Sequence, residues 1–186
     1  LFGFIGQTSA LSIIDDNISA DMSKTPPIYD PVFSGSGEYP GAVSYFEHRR
    51  CFAGSVNKPQ HIWMTKPGTE SDMSYSLPVT DADRIKFRIA AREINEIRHI
   101  VSLSELLLLT SSAEWRVASS TDALTQSTLA VRPQAFVGAS RAIPVIVNNT
   151  VLYCSARGGH LRECAYNWQA SGFVTGDMSL RSAHLF

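Results

Sequence analysis

Residues 100–117, IVSLSELLLLTSSAEWRV, constrain the fold of this chain more than any other stretch. Leu106, Leu107, Leu108 and Leu109 follow one another in a block too short to cross a bilayer, punctuated by Ser104 before it and by Thr110, Ser111 and Ser112 after it. A short buried strand fits this pattern. With Ser111 and Ser112 as a two-residue hairpin loop, Thr110 faces Ala113, Leu109 faces Glu114, Leu108 faces Trp115 and Leu106 faces Val117. One face then holds Leu106, Leu108, Trp115 and Val117, and the other holds Leu107 and Leu109 beside Glu114 and Arg116. The first strand is apolar on both faces, the profile of a strand packed between sheets, whereas its partner alternates and is expected to be the more exposed neighbour.

A chain of 186 residues is one domain or a piece of a larger one, with length enough for a sizeable core. Its 44% hydrophobic and 18% charged content is that of a globular protein. The 16 basic residues against 17 acidic ones give none of the surplus usual in proteins that grip nucleic acid or anionic lipid, a local patch aside. No apolar run reaches the length of a membrane span, and no charged segment leads into an apolar one as in a signal peptide. Cys51, Cys154 and Cys164 are sparse and odd in number, which points to a reducing compartment and away from a disulfide framework. The start at Leu1 and the apolar end at Leu185 and Phe186 point to an excerpt or a processed product.

Two regions are expected. Residues 1–41 comprise a short strand from Phe2 to Ile5, an Asp15, Asp16, Asn17 turn, and an extended connector carrying Pro26, Pro27, Pro31 and Pro40 with Gly35, Gly37 and Gly41. Residues 42–186 hold short strands in three groups of four: 43–46, 50–53, 61–65 and 84–89; then 97–101, 105–110, 114–118 and 127–131; then 143–147, 151–156, 160–166 and a weak segment near Phe173. Repeats of roughly 40 to 50 residues with four strands each are the pattern of propeller blades. The expected fold is therefore mainly β, a partial β-propeller or blade-like antiparallel sheets after a Pro/Gly-rich connector. Asn148-Asn149 and Gly158-Gly159 supply two of the hairpin turns. For residues 90–101 the expectation is strand, loop, strand, with a short helix over 90–96 as the alternative. Three blades are too few to close a ring, since closed propellers use about four to eight, so contacts beyond this polypeptide are implied.

No catalytic, cofactor or metal residues emerge. The acidic trio at 15–17 lacks a calcium-loop frame. His160 and Cys164, with Cys154 on the neighbouring strand, suggest zinc, but a Gly158-Gly159 loop pairs Cys154 with Glu163 and sets the two cysteines on opposite faces. There is no G-x-S-x-G elbow, Walker loop or G-x-G-x-x-G cradle. In the turn at His48, Arg49 and Arg50, Arg49 is expected to be exposed and Glu47 to face Arg50. Arg84, Lys86 and Arg88 share a strand face as a basic stripe on a solvated surface, and Trp63 and Trp115 are expected to pack.

Residues 39–66, YPGAVSYFEHRRCFAGSVNKPQHIWMTK, with REINEIRHIVSLSELLLLTSSAEWRV and the final RSAHLF, resemble the tail hub or nozzle proteins of short-tailed double-stranded DNA bacteriophages, a family that includes packaged-DNA stabilisation and tail tubular proteins. The resemblance lies in blade-like segments and not in a catalytic motif, and this chain is much shorter than the family's members. It implies a β-propeller-rich virion subunit, made in the bacterial host cytoplasm, that self-associates in a ring, a hexamer by the family pattern. Such a ring extends the portal and its adaptor, contacts other tail proteins, retains packaged genome and conducts double-stranded DNA without sequence-specific binding. No enzymatic activity, cofactor or small-molecule substrate is implied. The readings it competes with are a cellular propeller interaction module and a propeller glycosidase.

Overall fold

A computed structural model describes residues 3–6, 8–23, 26–91 and 93–181. Twelve strands among these residues form three separate four-stranded antiparallel sheets. The first sheet is β1 (Pro40–Phe46), β2 (Arg49–Ser55), β3 (His61–Met64) and β4 (Ile85–Arg88). The second is β5 (Ile97–Ser102), β6 (Leu106–Thr110), β7 (Glu114–Ser119) and β8 (Leu129–Ala135). The third is β9 (Val145–Val147), β10 (Thr150–Cys154), β11 (Leu161–Asn167) and β12 (Gly172–Asp177), followed by a single 3₁₀ turn, Ser179–Arg181. Within each sheet the strands lie in sequence order, so each is a meander, and the grouping is the one read from the sequence.

The leucine block explains why the sheets stack. Leu106 to Leu109 are all fully buried, and because successive side chains point to opposite faces, the second sheet needs a cover on both sides. Leu106 and Leu108, with Trp115 and Val117, pack on Cys51, Ala53, Ile62, Met64 and Ile85 of the first sheet. Leu107 and Leu109 pack on Val151, Tyr153, Cys164 and Phe173 of the third. Each leucine taken out of water in this way contributes about 1.5–3 kcal/mol. The register of the β6–β7 hairpin is the expected one, Leu109 opposite Glu114, Leu108 opposite Trp115 and Leu106 opposite Val117.

Several local expectations are corrected. The β1–β2 loop is Glu47-His48, both at positive φ, with Phe46 paired to Arg49. Because the loop sits one residue earlier than expected, Arg49 falls within β2 and turns inward, 3% exposed, and Arg50 pairs with Tyr45, two residues from the expected Glu47. Cys154 pairs with Leu161, two residues away from the expected Glu163, and because the shift is even the cysteines remain on opposite faces, Cys164 lying opposite Val151. The expected N-terminal strand reduces to one bridge between Phe4 and Asp21, Phe2 lying outside the described residues. Residues 90–91 and 93–96 are irregular, so among the described residues the alternative helix over 90–96 does not form, and Arg92 lies outside them. Asn148-Asn149 does form a two-residue loop, with Asn148 at φ 55°.

The connector is inlaid in the body. Ile28 and Tyr75 exchange backbone hydrogen bonds of 2.6 and 3.0 Å, Asp30 pairs with Arg84, and the Phe33 ring meets Phe52 and Trp63 edge-on with centroids 5.2 Å from each. Arg84 is buried by this contact and lies over the Tyr75 ring, so the expected basic stripe keeps only Lys86 and Arg88 at the surface.

Candidate functional site: the groove of the first strands

The first strand of each sheet lies at its edge, and stacking brings the three together: β1 packs beside β5, and a groove of about 550 Å³ runs along residues 41–45 of β1, 98–102 of β5 and Ile143, Pro144 and Ile146 at the start of the third sheet. Its polar groups are held by the protein itself. Ser44 and Ser102 hydroxyls lie 3.1 Å apart, the Ser102 hydroxyl donates to the Tyr45 carbonyl, and Arg98 Nη1 donates to the Ala139 carbonyl at 2.7 Å. His99 Nε2 lies 2.9 Å from the Ser140 carbonyl, which fixes the N–H on that nitrogen and leaves it no substrate-facing lone pair there. Arg98 is the one permanent cation among the lining residues. The groove offers surface and exposed strand edge; it presents no paired nucleophile and base.

Two buried polar clusters lie outside the groove. Arg49 donates from Nη1 to the carbonyls of Thr65 (2.9 Å) and Asp83 (2.6 Å) and from Nη2 to that of Asp81 (2.9 Å), tying β2 to the loop before β4. Burial by itself would raise the Asp83 carboxyl, but hydrogen bonds from Ser76 and Thr80 outweigh it and hold it down at about 2, with Lys66 Nζ 3.7 Å away. The second cluster is at the seam of the second and third sheets. Glu114 is 0% exposed, accepting from the Tyr153 hydroxyl at 2.8 Å and the Val137 N–H at 3.4 Å. Burial pushes its carboxyl up from the ordinary value, pushes the Tyr153 hydroxyl up as well, and pushes the Cys164 thiol to about 12. Arg116, on the same face, pairs with Glu105, donates to the Ser171 carbonyl and lies under the Tyr166 ring.

The sequence reading placed Glu114 on an alternating, partly exposed strand; the structure makes it the polar centre of an apolar seam. No signal in the sequence distinguishes the two, because alternation fixes which face a residue occupies and not whether another sheet covers that face. His160 Nδ1 lies 2.8 Å from the Ser179 hydroxyl, away from the inward Cys164, and His61 stacks on Trp63. Among the described residues no three His, Cys, Asp or Glu side chains stand together to hold a metal ion. The acidic trio makes a turn, Asp15 Oδ1 accepting the Ile18 N–H and Asn17 sitting at φ 58°.

Fold and groove together define a β-protein of stacked, blade-like meanders. Comparison with known proteins finds no family model that matches the chain and no curated relative.

Proposed function

We propose that the chain is a structural virion protein, a subunit of the tail hub or nozzle ring of a short-tailed double-stranded DNA bacteriophage, which extends the portal channel, retains packaged genome and conducts it at infection. It acts by packing against copies of itself, the portal adaptor and other tail proteins, with no turnover of a substrate. The observation that carries this reading is the stack itself: three meanders lie face on face with their first strands converging on one groove, fewer sheets than the four or more a closed ring needs. The blade-like resemblance of residues 39–66 and of the hairpin around Leu106 points the same way. A groove whose one arginine is spent on a backbone carbonyl also suits passage, since many phosphate contacts would hold DNA in place.

Electron microscopy of the purified protein, with its mass measured by light scattering, tests this. Rings with an axial opening are expected; a monodisperse monomer that binds a host peptide and never assembles would overturn the reading in favour of an interaction module.

A further inference from the structure

We infer that the outer face of the third sheet docks the first sheet of a second copy of this chain, head to tail. This rests on the ring reading for the existence of a neighbour and adds which face meets which. Each internal seam keeps like strands together: at the first, β1 lies beside β5 on the groove side, and at the second, β8 lies beside β12 away from it. The third sheet spends Val151, Tyr153 and Cys164 on the second. Its register puts Val145, Val147, Leu152 and Val174 on the opposite face with Glu163, and the three valines are 57%, 46% and 48% exposed.

The first sheet is the mirror case. Ala42, Cys51 and Ile62 are spent on the second sheet, and Val43, Tyr45, Arg50, Lys86 and Arg88 point the other way. Phe33 caps Phe52 and Trp63, leaving Val43 and Tyr45 bare at 51% and 54% exposure. Each bare strip therefore includes the first strand of its own sheet, and applying the internal rule once more brings strip onto strip. Charge agrees: Glu163, which makes no ion pair among the described residues, would face a surface carrying Lys86 and Arg88, with Arg50 beside them 3.8 Å from Glu70. Because the two faces differ, the contact is heterologous, and such contacts generate rings when the rotation closes.

The test is light scattering on wild type, Val147→Glu and Tyr45→Glu, with melting curves to show that each is folded. Wild type is expected to assemble, and each variant to dissociate at concentrations about tenfold or more higher than wild type. An equimolar mixture of the two variants should regain a two-chain species and nothing larger, since one intact pair of faces remains. If a glutamate variant fails to fold, Glu163→Arg weakens assembly in its place, and adding Arg50→Glu to it restores assembly. Wild type that assembles while the variants assemble equally well would overturn the docking faces and spare the ring reading. Folded variants whose mixture stays monomeric would overturn the head-to-tail arrangement, and monomeric wild type would overturn both readings.

Discussion

Glu114 and Trp115 are adjacent in β7 and face different seams with opposite chemistry. Trp115 is buried among Leu108, Val117 and the first sheet, and its indole N–H meets no acceptor, so packing alone holds it. Trp115→Ala is expected to cost about 3–5 kcal/mol in chemical denaturation, the range for emptying a buried aromatic site, and a loss under about 0.5 kcal/mol would mean that this face is not core. Glu114 enters its seam without a cation, and burial outweighs the hydrogen bonds it accepts, so its folded carboxyl titrates above the ordinary 4.5. A raised value means that the protonated form favours folding: its contribution is complete below 4.5 and falls away as pH rises through the raised value. Glu114→Gln removes that dependence. Melting temperatures of the two proteins measured across pH are expected to converge in acid and to separate, glutamine higher, as pH rises; parallel curves would show that Glu114 does not titrate across the transition. Asp83 works in the reverse sense, contributing stability above 3.8 that is lost as pH falls through about 2.

At the scale of the element, β2 meets β5 through a position where no side chain fits. Gly54 has φ 64°, and a Cβ added there would lie 2.3 Å from the Ile97 carbonyl oxygen, a backbone atom that cannot swing away. Gly68 has a similar φ of 71° with nothing within 4 Å. Gly68→Ala is expected to cost only the left-handed conformation, roughly 1–3 kcal/mol, and Gly54→Ala clearly more, because the seam between the first two sheets must part. Equal losses in denaturant melts would show that Gly54 sets a dihedral and not a distance. The same scale explains what was legible in the sequence. The β6–β7 hairpin could be read to the residue because Ser111 and Ser112 mark a short loop directly after an unbroken leucine block, and loop length sets the register. The β1–β2 hairpin could not, since Glu47 and His48 are unusual carriers of positive φ, and a loop expected one residue later, at His48 and Arg49, concealed the Arg49 cluster. The β10–β11 pairing is offset from the expected one by the same two residues, an even shift that leaves Cys154 and Cys164 on opposite faces.

At the scale of the whole molecule, strand grouping was legible and assembly was not. Four-strand spacing could be counted, but the groove exists only because β1, β5 and the start of β9 converge, and no single segment carries that information. Glu114 and Tyr153, 39 positions apart, meet for the same reason. The second sheet is sealed on both faces, the third on one, and the first has a partial lid from its own leading segment. That lid makes the stretch ahead of β1 part of the first sheet's architecture. A shortened chain retaining all twelve strands would keep every ladder of hydrogen bonds and still uncover the Trp63 indole, so the boundary of the folding unit lies upstream of where the strands begin.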